Sequence, residues 1–267
     1  MLSILNRMGE SKITIKKPAD IKILREGGKR LSYILGQVAN IVRPGIKQTE
    51  LNELAEKLIF EGGDKPAFKN YRPHGAKIAF PSALCVSVND EVVHGIPVDT
   101  ELLEGDIVSL DIGLEHKGLF TDMSITVPVG NIDDGAKKLI EVTKKSLEIG
   151  IKEVRDGAKI GNIGYAIEKF VKQYGFGIVR ELAGHGVGYS IHEPPYVPNF
   201  GKKNAGLTLK EGMVIAIEPM VNEGGDHIYE APDKWTIKTK DGTRSAHFEK
   251  TVLITKNGAE VLTPFPF

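Results

Sequence analysis

The chain has a single cysteine, Cys85, in 267 residues. That excludes an internal disulfide framework and any multi-cysteine zinc site, and it fits a reducing compartment. Net charge is missing as well. Lys+Arg and Asp+Glu number 35 each, so no global field draws nucleic acid or an anionic membrane, and the pairs Lys137-Lys138 and Lys144-Lys145 read as a solvated helix face. No apolar run is long enough to span a bilayer, and the one in the opening MLSILNRMGE is too short for a signal peptide. The expectation is a soluble cytoplasmic protein, without direct nucleic-acid or membrane binding, whose length sits near the size at which one core stays undivided.

What is present is a mixture of helical and strand patterns. Ile21, Leu24, Leu31, Ile34, Leu35, Val38 and Ile41 recur at helical spacing and predict a helix from residue 18 to about 42, stopped by Pro44-Gly45. Helices are also predicted over about 50–60, 136–154 and 163–174, and strands over 84–88, 107–112, 120–127, 213–221, 235–239 and 245–255. That order points to the α+β class. It also occurs twice. VRPGIKQTELNELAEKL from Val42 aligns with VRDGAKIGNIGYAIEKF from Val154, and EGDIVSLD ending at Asp111 aligns with EGMVIAIE ending at Glu218. Two related halves facing each other are expected, about 18–130 and 131–267, forming one catalytic domain behind a short segment 1–17.

In both copies an otherwise apolar strand ends on a carboxylate. A buried carboxylate without a partner is costly and finds a cation or a proton. DIGLEHKGLFTD, from Asp111 to Asp122, reads as a hairpin, and a turn centred on His116-Lys117 would set the two aspartates directly opposite on one face. Like charges so placed repel. A divalent cation between them would convert the repulsion into binding, and oxygen ligands suit Mg²⁺, Mn²⁺, Fe²⁺ or Co²⁺. Glu218 and Glu249 sit at strands among apolar neighbours. The stretch GHGVGYSIHEPP adds His185 and His192. Its glycines and double proline make a helix costly, and on a regular strand the two rings would face opposite ways. Different roles for the two histidines follow. Four carboxylates and one imidazole suit two metals with bridging carboxylates better than one.

Together VVHGIP, SLDIG, FTDMS, GHGVG, IHEPP, IEPM, WTIKTKDG and HFEKT, in this order, closely resemble the motifs of type I methionine aminopeptidases. The similarity runs from about residue 17 to 264. The resemblance implies the pita-bread fold, two pseudo-symmetric α+β halves around a cleft with a dinuclear metal centre. It implies Asp111, Asp122, His185, Glu218 and Glu249 as metal ligands, for two divalent ions drawn from Co, Mn, Fe or Zn. His192 would stabilise the oxyanion, His94 would hydrogen-bond the scissile amide, and Glu218 would also pass a proton to the leaving amine. Tyr71, Phe80, Cys85, Ile191 and Trp235 would form the methionine pocket, Ile191 standing where many members have phenylalanine. His74, in a longer segment than usual, receives no role.

The activity implied is removal of N-terminal methionine from peptides and nascent chains when the second residue is small, by a monomer that could work at the ribosome. By the same rule the chain's own Met1 would be retained, because Leu2 is bulky, whereas a start at Met8 would expose Gly9. The long N-terminal domain usual in proline-specific peptidases of this fold and the helical insertion of type II methionine enzymes are not seen in the sequence. A binding module on the inherited fold would be expected to lose ligands, and all five are retained.

Overall fold

The computed structural model describes residues 13–73 and 77–266. Met1, Leu2, Met8, Gly9 and His74 lie outside them. Four α-helices are described: α1 (Pro18–Asn40), α2 (Gln48–Glu61), α3 (Asp134–Lys152) and α4 (Gly161–Val171), the last extended by a 3-10 turn over Lys172–Tyr174. The strands are β1 (Lys65–Pro66), β2 (Leu84–Val88), β3 (Glu91–Val93), β4 (Ile107–His116), β5 (Leu119–Pro128), β6 (Gly177–Ile178), β7 (Gly184–Gly186) and β8 (Glu193–Val197). They continue as β9 (Val214–Ile217), β10 (Met220–Asn222), β11 (Ile228–Glu230), β12 (Ile237–Thr239), β13 (Ser245–His247), β14 (Glu249–Thr255) and β15 (Gly258–Val261).

The helices form where an apolar stripe meets terminal capping. α1 buries Leu24, Leu31, Leu35 and Val38 and packs on β4 and β5. α3 starts where the Asp133 carboxylate accepts the Ala136 N–H at 2.9 Å, which satisfies one of the donors a helix start leaves free. It then buries Leu139, Val142 and Leu147. Gly150 lets it approach α4 closely, since a Cβ there would meet Ile167 at 2.8 Å. The helix predicted over 163–174 ends earlier, at Val171, and tightens into a 3-10 turn before Gly175, whose φ of 76° closes it.

A large sheet runs β1-β4-β5-β14-β9-β7-β8, with β2 on β4 and β15 on β14. Two smaller sheets, β13-β10-β6 and β11-β12-β3, stand beside it. The repeat seen in the sequence is present in the backbone. Lys47 bridges Glu101 in the first copy and Lys159 bridges Thr208 in the second. Gly45 N–H donates to Leu102 O at 2.8 Å, and Gly157 N–H donates to Leu209 O at 2.9 Å.

Two further expectations need correction. The β4–β5 turn lies on Lys117-Gly118, not His116-Lys117. Both turn residues have positive φ, 51° and 81°, the two-residue turn whose twist matches a hairpin and which favours glycine second. The register therefore pairs Asp111 with Ser124 and Gly113 with Asp122. The aspartates are diagonal rather than opposed, still on one face because the offset is two residues. The second correction concerns the strands predicted over 213–221 and 245–255, each of which is broken. β9 stops before Glu218-Pro219 and the chain resumes as β10 in another sheet, while β13 and β14 are separated at Phe248. Proline has no N–H to continue the ladder, and Phe248 turns into the core, 3 % exposed.

Candidate metal centre

The sheet register assembles the site. Cys85 pairs with Asp111, Asp111 with Ser124, and Ser124 with Glu249, so these four lie in one row across four strands on one face. Asp122 is two residues along β5 from Ser124 and shares that face. Glu218 directly follows β9, where the Lys250–Ile217 pairing, carried on by one residue, brings it beside Glu249. His185 occupies the middle of β7.

The side chains meet. Ligand atoms of Asp111, Asp122 and Glu249 lie within 4.8 Å of one another, as do those of His185, Glu218 and Glu249, and those of Asp122, His185 and His192. His185 Nε2 is 3.4 Å from Glu218, 3.8 Å from Asp122 and 4.0 Å from Glu249. The first two groups share Glu249, and Asp122 belongs to the first and third. That is the pattern of two neighbouring cation positions with shared carboxylates.

Electrostatics support a cation there. Asp111, Asp122 and Glu249 are buried. Burial pushes the Asp111 carboxyl up to about 7. Asp122 is held well above the usual carboxylate range by burial and then by the charges of Asp111 and Glu218, Glu249 by burial and then by Asp122, Glu218 and Asp111, and Glu218 by burial and then by Asp111. Among the described residues, Asp111 Oδ1 and Glu249 Oε1 are buried oxygens without a hydrogen-bond partner. Divalent cations would satisfy both the charge and the vacant lone pairs, so the residues fit the group. His185 is prepared as a ligand. Its Nδ1 lies 2.9 Å from the Gly186 carbonyl, which can only accept, so Nδ1 carries the proton and Nε2 offers its lone pair. Burial lowers its pKa to about 4, which keeps it neutral.

His192 stands just before β8, across a turn from His185, with the two ring centroids 4.5 Å apart. The bend that a regular strand lacks is supplied by residues 187–192. Its Nδ1 is 2.9 Å from the Tyr71 hydroxyl, and its pKa is held well below the ordinary value by burial, then by His185 and His94. His94 has a positive φ of 59°. Its ring lies edge-on to Trp235, centroids 6.3 Å apart, and burial lowers its pKa to about 4.

These groups open on a cavity of about 130 Å³. Its apolar end is a cluster of Phe68, Phe80, Cys85, Ile191 and Trp235, with Tyr71 packed against it. Phe80 and Trp235 meet edge to face at 5.2 Å. The Cys85 thiol is pushed well up by burial and then by the nearby carboxylates, so it behaves as a small apolar wall. Of the five expected pocket residues, Tyr71, Phe80, Cys85 and Trp235 line the cavity, while Ile191 packs within the cluster and is not among the lining side chains. Tyr71 also holds His192, a contact that spacing could not reveal. The lining residues given no role in the sequence include Phe68 and His247. His247 Nε2 lies 3.7 Å from Glu218 Oε2, and neither ring nitrogen has a hydrogen-bond partner. His247 stands two residues before Glu249, but the break at Phe248 puts the two on strands of different sheets, so strand periodicity alone could not have placed it.

A cleft floored by two overlapping oxygen-rich donor groups, walled by neutral histidines and closed by an apolar pocket, defines a binuclear metallohydrolase site. The chain belongs to metallopeptidase family M24, whose pattern matches residues 22–256, and within it to the methionine aminopeptidases. It is 44% identical over 251 residues to methionine aminopeptidase 1 of Bacillus subtilis, covering 94% of this chain and 99% of that one. The crystal structure of methionine aminopeptidase from Rickettsia prowazekii superposes with a TM-score of 0.91 at 37% identity, over 95% of this chain and 100% of that one. Prolidase from Pyrococcus furiosus, at 23% identity and a TM-score of 0.74, shares the fold over 94% of this chain and 65% of its own. The architecture is the pita-bread fold.

Proposed function

We propose that the chain is a metal-dependent aminopeptidase that removes N-terminal methionine from peptides and nascent proteins whose second residue is small. The observation that carries this reading is the junction of two environments, an apolar cluster around Phe80, Cys85 and Trp235 directly beside the carboxylate floor. An unbranched thioether side chain fits the first. The free α-amine of the same residue belongs at the second.

Asp111, Asp122, His185, Glu218 and Glu249 would hold two divalent ions, with Glu249 and Asp122 shared between them. When bound, such ions lower the pKa of water towards neutrality and polarise the scissile carbonyl. The protein's own groups do the rest. With the Tyr71 hydroxyl donating to Nδ1, His192 keeps its proton on Nε2 and presents a donor to the oxyanion. His94, neutral and partly buried, hydrogen-bonds the scissile amide and fixes its plane. Glu218, at the edge of the donor group, passes a proton to the departing amine. The apolar wall excludes water from the side-chain site and so ties cleavage to residues that fill it.

The same reading has the protein act in the cytoplasm as a monomer, on chains emerging from the ribosome, where new methionine termini arise. No helix among the described residues is long and apolar enough to cross a membrane. The decisive experiment offers Met-Ala-Ser, Leu-Ala-Ser and an Xaa-Pro dipeptide to the purified protein with Co²⁺, Mn²⁺, Fe²⁺ and Zn²⁺ in turn. Release of free methionine from the first alone is expected. Cleavage of the Xaa-Pro peptide in its place would make the protein a proline-specific peptidase. Absence of bound metal on elemental analysis, with no cleavage, would make it a binding module.

A further inference from the structure

We infer that Lys16 and Glu193 are positioning residues for His192, and that residues 13–17 form a strap which fixes the turn carrying that histidine. The inference rests on the role proposed for His192. The Lys16 side chain is fully buried, 0% exposed, and Glu193 is 8% exposed. Lys16 Nζ donates to Glu193 Oε1 and to Thr14 Oγ1. Thr14 Oγ1 donates to the same carboxylate oxygen at 2.5 Å. The other oxygen, Glu193 Oε2, accepts the backbone N–H groups of Tyr189 and Ser190 at 3.2 and 3.3 Å. One carboxylate thus gathers the strap on one side and the turn on the other, one residue from His192.

The strap is anchored independently. Lys16 N–H donates to the Gly212 carbonyl at 2.8 Å, next to the start of β9. The Lys16 stem lies over Gly188, where a Cβ would collide with Lys16 Cε, and its ammonium sits 4.7 Å from the Tyr189 ring centroid. The Tyr189 hydroxyl donates to Asp20 in the first turn of α1 at 2.6 Å. A buried ammonium with so little solvent is held by its carboxylate partner, and the pair has geometric value because it fixes direction as well as contact. His192 is also held by the Tyr71 hydroxyl on Nδ1. That contact sets the ring's rotation, whereas the strap sets the height of its backbone above the metal ligands.

Lys16→Met and Glu193→Gln, both close in shape to the native residues, test this in the metal-loaded full chain. Each should lower kcat roughly ten- to hundredfold with KM changed by less than about twofold, because a displaced donor weakens a contact made in the transition state. Metal content should equal that of the wild type. The discriminating measurement is a cycle with His192→Ala. With the donor already gone, Lys16→Met should cost less than about a further twofold in kcat. Losses that multiply, or a lowered melting temperature with kcat intact, would overturn the strap and leave a purely structural ion pair. Unchanged kcat in His192→Ala would remove the role proposed for that histidine and the strap with it, whereas a wild type that releases no methionine removes the functional reading itself. Should Lys16→Met not fold, Glu193→Gln alone completes the cycle.

Discussion

In the first half of the cleft, β4 runs through Asp111 for ten residues, paired along its length with β5. In the second half its repeat, β9, stops after four residues, and Glu218 falls in the break before Pro219. The two strands descend from matching segments, EGDIVSLD and EGMVIAIE, yet they place their carboxylates by different means. The hairpin fixes Asp111 and Asp122 through an unbroken ladder whose register is set locally by the Lys117-Gly118 turn. The second half fixes Glu218 and Glu249 where strands leave one sheet for another. There the backbone has fewer ladder bonds, and the site is held by long-range contacts such as Asn199 Nδ2 donating to Glu218 O at 2.9 Å. The regular half behaves as a platform and the broken half as a clamp brought against it.

Glu249 joins the two, since it belongs to a donor group on either side, and its loss should have the largest effect. Glu249→Ala is expected to abolish turnover and to lower bound metal on elemental analysis, with circular dichroism showing the fold intact. Asp111→Asn should also abolish turnover while keeping part of the metal, because it leaves the His185, Glu218 and Glu249 group complete. Full activity of either variant at saturating metal would remove the dinuclear assignment.

A smaller effect separates the ligands by their protonation. In the metal-free protein Asp111 titrates at about 7 against an ordinary 3.8, so at pH 6 a cation must displace its proton, whereas His185, lowered to about 4, is already neutral. Metal affinity should therefore fall as pH drops below 7, by about tenfold per unit for each proton released. Calorimetric titration at pH 6 in two buffers of different ionisation enthalpy counts those protons, and a count of zero would contradict the buried-carboxylate description.

The smallest effect belongs to the turn. Gly118→Ala forces a side chain into a φ of 81° and should cost about 1–2 kcal/mol of stability, read by urea unfolding. It should leave kcat unchanged, because the unbroken ladder holds the register over the residues between the turn and the aspartates. A marked loss of kcat would show that the first half is as dependent on distant contacts as the second.

Much of this was legible without coordinates. Apolar periodicity located the helices, the acidic ends of two repeated strands pointed to a cation, and the ordered motifs indicated five residues whose donor atoms the cleft brings together. The details that failed share a cause. Centring the turn one residue early placed Asp111 opposite Asp122, because a run of alternating residues reads the same under a small shift until the turn's backbone angles are known. The breaks at Pro219 and Phe248 were missed because strand periodicity records which face a residue occupies and not which sheet it joins. Proline at 219 was the available clue.

The sequence by itself determined the helices and the longer strands, the repeat, the chemical identity of the donors and the family they belong to, since these depend on local pattern and residue chemistry. Only the tertiary structure decided that Tyr71 holds His192, that His247 faces Glu218, that Phe68 lines the pocket and that Lys16 reaches Glu193 across the fold. The physical reason is distance along the chain. Lys16 and Glu193 are 177 residues apart, and Tyr71 and His192 are 121 apart; such contacts are set by how the sheets curl and pack, which no local spacing encodes.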